Sequence, residues 1–349
     1  MKKYKLGDLI EVSRGASLSG NYYATEGKYI RLTCGNFDYR NNCFKENNSK
    51  DNLFYIGNFK AEFLLEKGDL ITPLTEQAIG LLGSTAWIPE SEKYIQSQDI
   101  AKITCKEKLL DKKFAYYLIS SNMVKKQLNA AAQQTKIRHT SPNKIKDCIV
   151  WLPSLAEQKK IGQLLFDIDR KIELNRSINH NLEAMAKQLY DYWFLQFDFP
   201  DENGKPYKSN GGKMVWNEKL KREIPEGWRI ATFNAFIEKH KGGDWGYDVY
   251  REGTQKVGCV RGADIIILND VPTRYIKTKH EDKVLQDGDV VIEVSGGSPS
   301  QATGRIALIT DGVIKRNGGT LVCSNFCLSF KLNKRIYSEY FFYLWKCLY

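Results

Sequence analysis

The sequence contains no cysteine or histidine spacing that would form a metal site. Its eight cysteines are scattered along 349 residues, none of them in a Cys-x-x-Cys pair, and the four histidines do not cluster near them. Scattered cysteines in a chain of this length are typical of reduced, mostly buried thiols in a cytoplasmic protein. We therefore predict that the chain holds no metal and that Cys323 and Cys327 are core residues.

Long apolar runs are missing as well. No stretch approaches the ~20 apolar residues that a membrane-spanning helix needs. The N-terminal segment is a mixture of polar and apolar residues without the apolar core of a signal peptide. A long helix, described below, carries both signs of charge on its flanks, which favours an exposed coiled coil over a membrane-surface helix. We expect no contact with a membrane.

Motifs for catalysis are also absent. The glycine-rich stretch 295–305 lacks the lysine of a phosphate-binding loop, so a turn or a DNA-facing loop is expected there. The sequence has no Asn/Asp-Pro-Pro-aromatic motif of an amino-methyltransferase. Asp289 and Glu293 could begin a nuclease site, but Ser295 stands where a lysine would be wanted, so we expect exposed strand residues. We predict a chain that is not an enzyme and binds no cofactor itself. The alternative, a stand-alone endonuclease, would cut plasmid DNA in the presence of Mg²⁺.

Positive charge is what the sequence has in excess. With 52 Lys and Arg against 41 Asp and Glu, the formal net charge is +11 and the pI is near 9.1. This balance favours a polyanionic partner, most simply nucleic acid, although basic charge can serve solubility alone. Aromatic residues make up 12% of the chain, which would also suit base stacking on single strands or RNA. Eight of them recur at core spacing within 114–118 and 337–344, so we expect the aromatic residues to pack.

A single stretch, from Ser154 to about Gln196, organises the chain. Ser154 and Glu157 form a capping box, which predicts the start of a helix. Seam residues then recur in alternating steps of four and three over about five heptads, which is the pattern of a coiled coil. These seam residues are Ile161, Leu165, Ile168, Ile172, Asn175, Asn179, Leu182, Ala186, Leu189 and Trp193. At ~1.5 Å per residue the helix would extend about 60 Å. Its seam requires a partner helix, and the two seam asparagines would fix the register of that partner.

Four segments follow from this pattern. We predict a first globular domain at 1–153, the long coiled-coil helix at 154–196, a linker at 197–223 and a second globular domain at 224–349. The expected fold class is α+β, with two similar mixed α/β domains separated by the long helix.

The second globular domain is predicted to repeat the first. A repeat of this length indicates that the two domains share one architecture. Four pairs of segments carry it: 257–264 with 30–38, 285–291 with 65–71, 304–309 with the strand beginning at Gly80, and 337–344 with 111–118. The second copy has no counterpart of 133–152 and no second long helix, so we consider the repeat incomplete.

In the first domain, the segment 135–140 combines fixed positive charge with hydroxyl groups. Lys136, Arg138 and His139 could contact phosphates or base edges of DNA, or the segment could be a structural turn. Asn36 could bind adenine, but an asparagine after a glycine is at least as often a turn residue.

Two arginines are predicted to occupy matching positions of the repeat. Arg31 and Arg261 could each bind a guanine through two hydrogen bonds, or pair internally with Asp38 and Asp264. In the second domain, a basic loop is expected to carry further DNA contacts or to be simply solvated; its residues are Lys315 and Arg316.

Several motifs together resemble the specificity subunit of type I restriction–modification systems. The likeness covers nearly the whole chain and is carried by Leu152–Ile161, the asparagine-spaced run from Asn175 to Trp193, Phe199–Trp228 and Ser295–Arg305. The resemblance implies a DNA-binding subunit without catalysis of its own. Each globular domain would be a target recognition domain that binds one half of a bipartite sequence in double-stranded DNA.

The resemblance also implies partners. Two methyltransferase (modification) subunits would carry S-adenosylmethionine, and restriction subunits would carry the nuclease and the motor that uses ATP and Mg. The specificity subunit would direct methylation and restriction by these partners to its target. This chain departs from the family pattern by its missing second long helix. The alternative is therefore a truncated specificity fragment that needs another chain, joined through the long helix.

Overall fold

The computed structural model describes residues 1–49, 51–76, 80–131, 138–296 and 303–348. The chain forms two compact units, unit 1 at 1–177 and unit 2 at 178–349. The helices are α1 Leu6–Leu9, α2 Lys112–Ile119, α3 Asn122–Ala131, α4 Pro142–Lys146, α5 Leu155–Tyr190, α6 Asp311–Arg316 and α7 Tyr337–Leu348. The strands of unit 1 are β1 Lys2–Lys5, β2 Ile10–Arg14, β3 Tyr23–Ala24, β4 Tyr29–Arg31, β5 Phe37–Asp38, β6 Cys43–Phe44, β7 Phe54–Tyr55, β8 Leu70–Pro73, β9 Thr75–Glu76, β10 Ala86–Trp87, β11 Tyr94–Ile95, β12 Ile100–Cys105, β13 Arg138–His139 and β14 Ile149–Leu152. The strands of unit 2 are β15 Met214–Asn217, β16 Arg222–Pro225, β17 Ile237–Gly242, β18 Thr254–Val260, β19 Thr273–Lys277, β20 Val290–Glu293, β21 Ile306–Leu308, β22 Leu321–Cys323 and β23 Cys327–Leu332.

Unit 1 is built around two four-stranded sheets. In the first sheet the strand order is β10-β8-β12-β2, and all neighbours are antiparallel. In the second sheet the order is β11-β4-β7-β3, with β11 parallel to β4. The core forms where buried residues of the first sheet, such as Leu70 and Ile103, join the same apolar cluster as Tyr116 of α2 and Leu128 of α3.

Unit 2 has the same strand order in its first sheet and one strand fewer in its second. Its first sheet has the order β21-β20-β23-β17, all antiparallel. Its second sheet has the order β22-β18-β19, with β22 parallel to β18. The helix α7 follows β23 as α2 follows β12, and buried Phe341 of α7 packs with Val290 and Ile292 of β20. The predicted α+β fold with two similar domains is confirmed.

The paired strands fix which residues of the two units correspond. In the parallel pairs, Ile30 lies opposite Tyr94, and Gly258 lies opposite Leu321. In each unit, a backbone amide from a third segment donates to the carbonyl of one residue of this pair, so the two pairs occupy equivalent positions. The Leu65 amide donates to the Tyr94 carbonyl at 2.9 Å, and the Leu285 amide donates to the Leu321 carbonyl at 2.8 Å. Ile30 therefore corresponds to Gly258.

This register corrects the predicted match between the two arginines. Counting on from Ile30 and Gly258, Arg261 corresponds to Thr33 and not to Arg31. Thr33 and Arg261 each precede a short 3-10 helix and cap it in the same way. The Thr33 amide donates to Asn36 Oδ1, and the Arg261 amide donates to Asp264 Oδ2, both at 2.9 Å. The sequence comparison aligned two residues of the same type, whereas the backbone preserves the capping position.

The long helix predicted from the capping box and the heptads is confirmed. The Ser154 amide donates to Glu157 Oε2 at 2.9 Å, and the Glu157 amide donates to Ser154 Oγ at 3.3 Å. The α-helix runs to Tyr190 and continues as a π-helical turn over Asp191–Leu195.

The seam of α5 is largely uncovered among the described residues. Ile168 is 46% exposed and Leu182 is 56% exposed. Asn175 and Asn179 are exposed too, so the chain itself does not bury these asparagines. The seam thus still requires the partner helix that the heptad pattern predicts. Within the described ranges, none of the helices combines the length and apolar character needed to cross a bilayer.

Two segments that were expected to be irregular are ordered. Lys315 and Arg316 form the last turn of α6, where Thr310 accepts the Val313 amide as the N-cap, and do not lie in a loop. The predicted linker contains β15 and the start of β16, which pair as an antiparallel hairpin.

The cysteines are free thiols, and several are buried. Cys323 and Cys327 both lie in the core of unit 2, as predicted, and Cys148 and Cys259 are buried as well. Burial raises the pKa of Cys323 to about 12, so this thiol stays protonated at neutral pH. Cys347, by contrast, is exposed.

Candidate nucleic-acid interface

One end of the first sheet in unit 1 gathers segments that are distant in sequence. Strands β2 and β8 end there and β12 begins there, because Arg14 pairs with Ala101 and Pro73 pairs with Ile100. Loops that leave a sheet at one end lie side by side on a rigid support, which is where binding residues are commonly placed. We call the residues just beyond these strand ends the unit 1 edge: 15–16, 74–76 and 96–99.

Strand β13 is attached to this edge by pairing with β9. Arg138 lies opposite Glu76, and His139 lies opposite Thr75. The Thr75 hydroxyl donates to Asp99 Oδ1 at 3.0 Å and lies 3.3 Å from His139 Nδ1. Side-chain and backbone contacts together therefore fix the two residues of β13 on the edge.

Glu76 is the buried charge of the unit 1 edge, with 3% of its surface exposed. Its Oε1 atom accepts the backbone amides of Gly80 at 2.7 Å and Leu81 at 3.0 Å. Its Oε2 atom lies 3.6 Å from Nη1 of Arg138, beyond hydrogen-bond distance. The Arg138 side chain is 37% exposed, and among the described residues its guanidinium donates no hydrogen bond. The edge therefore presents a fixed positive charge whose donors are available to a ligand.

A half-buried thiol adds a further contact to this edge. Cys34 Sγ donates to the Thr75 carbonyl at 3.2 Å. Burial, together with the negative charge of Asp99, raises the pKa of Cys34 to about 12. The thiol is therefore protonated at neutral pH and remains a donor. It ties the 3-10 helix at Cys34–Asn36 to the edge.

Unit 2 has an edge at the same place in its sheet. Strands β17 and β20 end there and β23 begins there, and the Val294 amide donates to the Phe326 carbonyl at 2.9 Å. A Cβ built on Gly243 would overlap the Ser324 carbonyl oxygen. A Cβ on the corresponding Gly15 of unit 1 would lie 2.3 Å from the carbonyl oxygens of both Gln96 and Ser97. Both edges thus depend on a close backbone approach that only glycine permits. We call 243–244, 293–296 and 324–326 the unit 2 edge.

The unit 2 edge also contains a buried carboxylate, but its pairing differs. Glu293 is 3% exposed. Its two oxygens accept from Nε and Nη2 of Arg305 at 2.8 and 2.9 Å, which is a bidentate pair. The expectation that Asp289 and Glu293 are exposed strand residues is wrong, since Asp289 is 1% exposed and pairs with Lys241 at 3.3 Å. Both carboxylates are engaged in ion pairs, which gives them a structural role.

Arg261 lies beside the unit 2 edge and forms the internal pair that was one of its two predicted roles. Its Nε and Nη2 atoms donate to Asp264 Oδ2 and Oδ1 at 2.9 and 2.8 Å. A Cβ on the neighbouring Gly262 would overlap Glu293 Oε1, which places the 3-10 helix directly against the edge. The Arg261 side chain is still 43% exposed, so part of its guanidinium faces solvent.

Two predicted DNA-binding residues are buried instead. The Arg31 guanidinium stacks 3.8 Å above the Tyr23 ring and donates to the Asn52 carbonyl at 3.2 Å. It does not pair with Asp38, so the predicted internal ion pair is not formed, and the predicted guanine contact stays a prediction. Asn36 is 2% exposed and fills the turn position, the alternative given for it. Both side chains are buried because they make contacts within unit 1.

The other predicted contacts lie apart from the edges or outside the described residues. Lys136 belongs to the segment 132–137, which is outside the described residues. Lys315 and Arg316 lie on α6, where Arg316 Nη2 is 3.5 Å from the Leu268 carbonyl. Arg138 and His139 are thus the first-domain predictions that the structure brings together.

Sequence reasoning missed the buried partners of these groups. Glu76, Thr75 and Asp99 carry no motif, and their relation appears only when β9 and β13 pair. For Glu293 a signal was present, because a glutamate that ends the apolar run Val290–Ile292 is costly to bury unless it is paired.

Comparison with known proteins places the chain in a family. A family model described as the type I restriction modification DNA specificity domain matches residues 1–184, more than half of the chain. The chain belongs to this family. The resemblance drawn from the helix and linker motifs is therefore confirmed.

The specificity-subunit relatives are distant and longer. The type I restriction enzyme MjaIX specificity subunit of Methanocaldococcus jannaschii is 24% identical over 200 residues, covering 54% of this chain and 43% of that protein. The EcoBI specificity subunit of Escherichia coli is 22% identical over 270 residues, covering 74% of this chain and 53% of that protein. The chain spans about half the length of these curated relatives.

A solved structure shares the fold. The S subunit of the type I restriction–modification system from M. genitalium aligns over 99% of this chain and 78% of that chain, with a TM-score of 0.56 and 14% identity. At this identity the likeness concerns the fold alone.

Proposed function

We propose that this chain binds double-stranded DNA in a sequence-specific manner as the specificity subunit of a type I restriction–modification complex. The observation that carries the proposal is the duplication. In each of the two similarly built units, an arginine lies beside the same end of the first sheet: Arg138 on β13 in unit 1, and Arg261 next to the 3-10 helix that contacts Glu293 in unit 2. The family assignment and the net charge of +11 support the same function.

In this proposal, each unit binds one half of a bipartite target. Phosphate contacts from lysines and arginines position the protein, and side chains at the edges contact bases. An arginine with free donors suits guanine, because its two N–H groups match the O6 and N7 acceptors in the major groove. Arg138 and His139 would serve the first half-site. Arg261, which is paired with Asp264, would serve the second half-site through the part of its guanidinium that faces solvent.

The chemistry would belong to partner subunits. We propose that two modification subunits bring the methyltransferase and S-adenosylmethionine, and that restriction subunits bring the ATP- and Mg-dependent motor and nuclease. This chain would contribute target choice and no catalytic group. Purified alone with Mg²⁺ and plasmid, it is expected to leave the DNA uncut, and cutting would favour the endonuclease alternative.

The proposed role of α5 is to set the spacing between the two half-sites. Inserting one helical turn after Ser177, where the helix is exposed, adds ~4 residues and ~6 Å. The unread spacer between half-sites should then grow by about two base pairs at ~3.4 Å each. The measurement is methylome sequencing of cells that carry the variant with its partner subunits.

The matched control for this insertion places the same residues in the exposed turn after Asn203. That variant should keep the original spacer. An unchanged spacer in the α5 variant, with methylation intact, would refute the proposal that the helix acts as a ruler.

A second candidate function, a specificity fragment that needs another chain, is favoured by the exposed seam. Replacing Leu182, which is 56% exposed on the seam, with glutamate should abolish association through α5, because a charge would have to be buried between helices. Sedimentation velocity on the full chain measures this. Ala184→Glu adds the same charge two residues away on the outer face and should leave association intact. A wild-type chain that sediments as a stable monomer would count against this candidate.

A further inference from the structure

The two oxygens of Glu76 have different environments. Oε1 accepts two close backbone amides from the segment that begins at Gly80, and the Leu82 amide lies 3.4 Å from it. Oε2 is buried and has no hydrogen-bond partner among the described residues. Nη1 of the Arg138 guanidinium lies 3.6 Å from Oε2, directly across the strand pair. Burying a carboxylate oxygen without a hydrogen bond costs folding free energy, so the presence of Glu76 at this position requires an explanation.

The surroundings of Glu76 keep its charge effective. The Lys125 ammonium is also close enough to interact: burial lowers the pKa of Lys125, and the charge of Glu76 opposes that shift. Because the carboxylate is 3% exposed, its field on Arg138 is screened less than that of a surface group. Glu76 can therefore hold the exposed guanidinium in place without using up its donors.

Unit 2 shows the contrasting arrangement. There the buried carboxylate of Glu293 engages Arg305 through two hydrogen bonds of 2.8 and 2.9 Å. Arg138 in unit 1 makes no such bonds among the described residues and remains 37% exposed. The unit 2 edge thus carries an arginine, Arg305, that is bonded to its carboxylate, whereas the unit 1 edge carries an arginine, Arg138, whose donors are available to a ligand.

We infer that Glu76 is a positioning residue for base recognition by unit 1. Through Oε1 it anchors the segment beginning at Gly80, and through the charge on Oε2 it holds Arg138 in the orientation that donates to a guanine in the first half-site. This inference rests on the proposed DNA-binding function. Holding the long arginine side chain in advance reduces the conformational entropy lost on binding, so the effect should appear in affinity for one base pair.

The experiment is selection from a randomised double-stranded DNA library with the full chain, followed by affinity measurements on the selected duplex and on single-base variants of it. Glu76→Gln keeps an acceptor for the Gly80 and Leu81 amides and removes the charge. Arg138→Ala removes the proposed guanine contact. Glu90→Gln is the matched control, because Glu90 is an exposed glutamate of unit 1 that pairs with Lys93.

Arg138→Ala should lose about tenfold in affinity at one G·C pair of the first half-site, the range expected for a bidentate arginine contact. Glu76→Gln should lose several-fold at that same base pair and leave the second half-site preference unchanged. The double variant should be no weaker than Arg138→Ala, because the two residues act through one contact. Glu90→Gln should match the wild type.

Three results would overturn the inference. The first is a Glu76→Gln chain with wild-type affinity and base preference. The second is a loss that is equal for all sequences and accompanied by a lower melting temperature, which would show a structural role alone. The third is multiplicative loss in the double variant. If the wild-type chain enriches no sequence, the proposed function fails as well, and that outcome is distinct from these three.

Discussion

Replacing Gly243 with alanine is expected to unfold much of unit 2, because the new Cβ would overlap the backbone at the end of β22. It would meet the Ser324 carbonyl oxygen and lie 2.6 Å from the Cys323 carbonyl oxygen. Backbone atoms cannot move aside like a flexible side chain, so the bond from the Asp244 amide to the Cys323 carbonyl at 2.8 Å should break. We expect a loss of about 3 kcal/mol in the free energy of unfolding, at the upper end of overpacking costs.

Hydrogen exchange measured by mass spectrometry can localise this loss. Peptides from 237–332 should exchange faster, while peptides from 1–150 should keep their protection. Gly242→Ala is the matched control, since no atom of the described residues lies within 4 Å of its Cβ position. Gly15→Ala, which meets the carbonyl oxygens of Gln96 and Ser97, should produce the reciprocal result in unit 1. Equal exchange in the Gly242 and Gly243 variants would show that the close approach is not required.

Replacing Lys241 with methionine should destabilise unit 2 by a comparable or larger amount. The ammonium lies 3.3 Å from Asp289 Oδ2 and donates to the Val284 carbonyl at 2.9 Å. Its side chain is 8% exposed and that of Asp289 is 1% exposed, so methionine would leave a buried carboxylate without its cation. Breaking a buried pair from one side typically costs about 3–5 kcal/mol.

Urea unfolding followed by hydrogen exchange in β17 and β20 measures the cost. Lys239→Met is the matched control, because Lys239 is exposed on the same strand. Lys241→Met combined with Asp289→Asn should recover part of the loss, since no unpaired charge then remains. If the Lys241→Met chain were as stable as the Lys239→Met chain, the ion pair between Lys241 and Asp289 would not be needed for the stability of unit 2.

The features predicted well were those encoded by neighbouring residues. The capping box at Ser154 and Glu157 involves positions three apart, and the heptad seam repeats every seven residues. Both patterns express the geometry of one helix, so they can be read without knowing the fold. The duplication was visible because each copy carries its own strand and turn residues in the same order.

The features predicted poorly depend on partners distant in sequence. Arg31 was aligned with Arg261 by residue type, but the strand pairing places Thr33 there. Asp289 was expected to be exposed because its partner Lys241 lies 48 residues earlier. The role of Glu76 depends on Arg138 in a strand that follows two helices.

The sequence by itself therefore determined the long helix, the repeated α+β domains and the family, because local periodicity and turn chemistry specify them. Only the tertiary structure decided which charges are buried and which arginine keeps free donors. The physical reason is that the energy of a charge depends on its solvent exposure and on its nearest opposite charge. Both of these are set when strands from different parts of the chain come together at the edges of the two units.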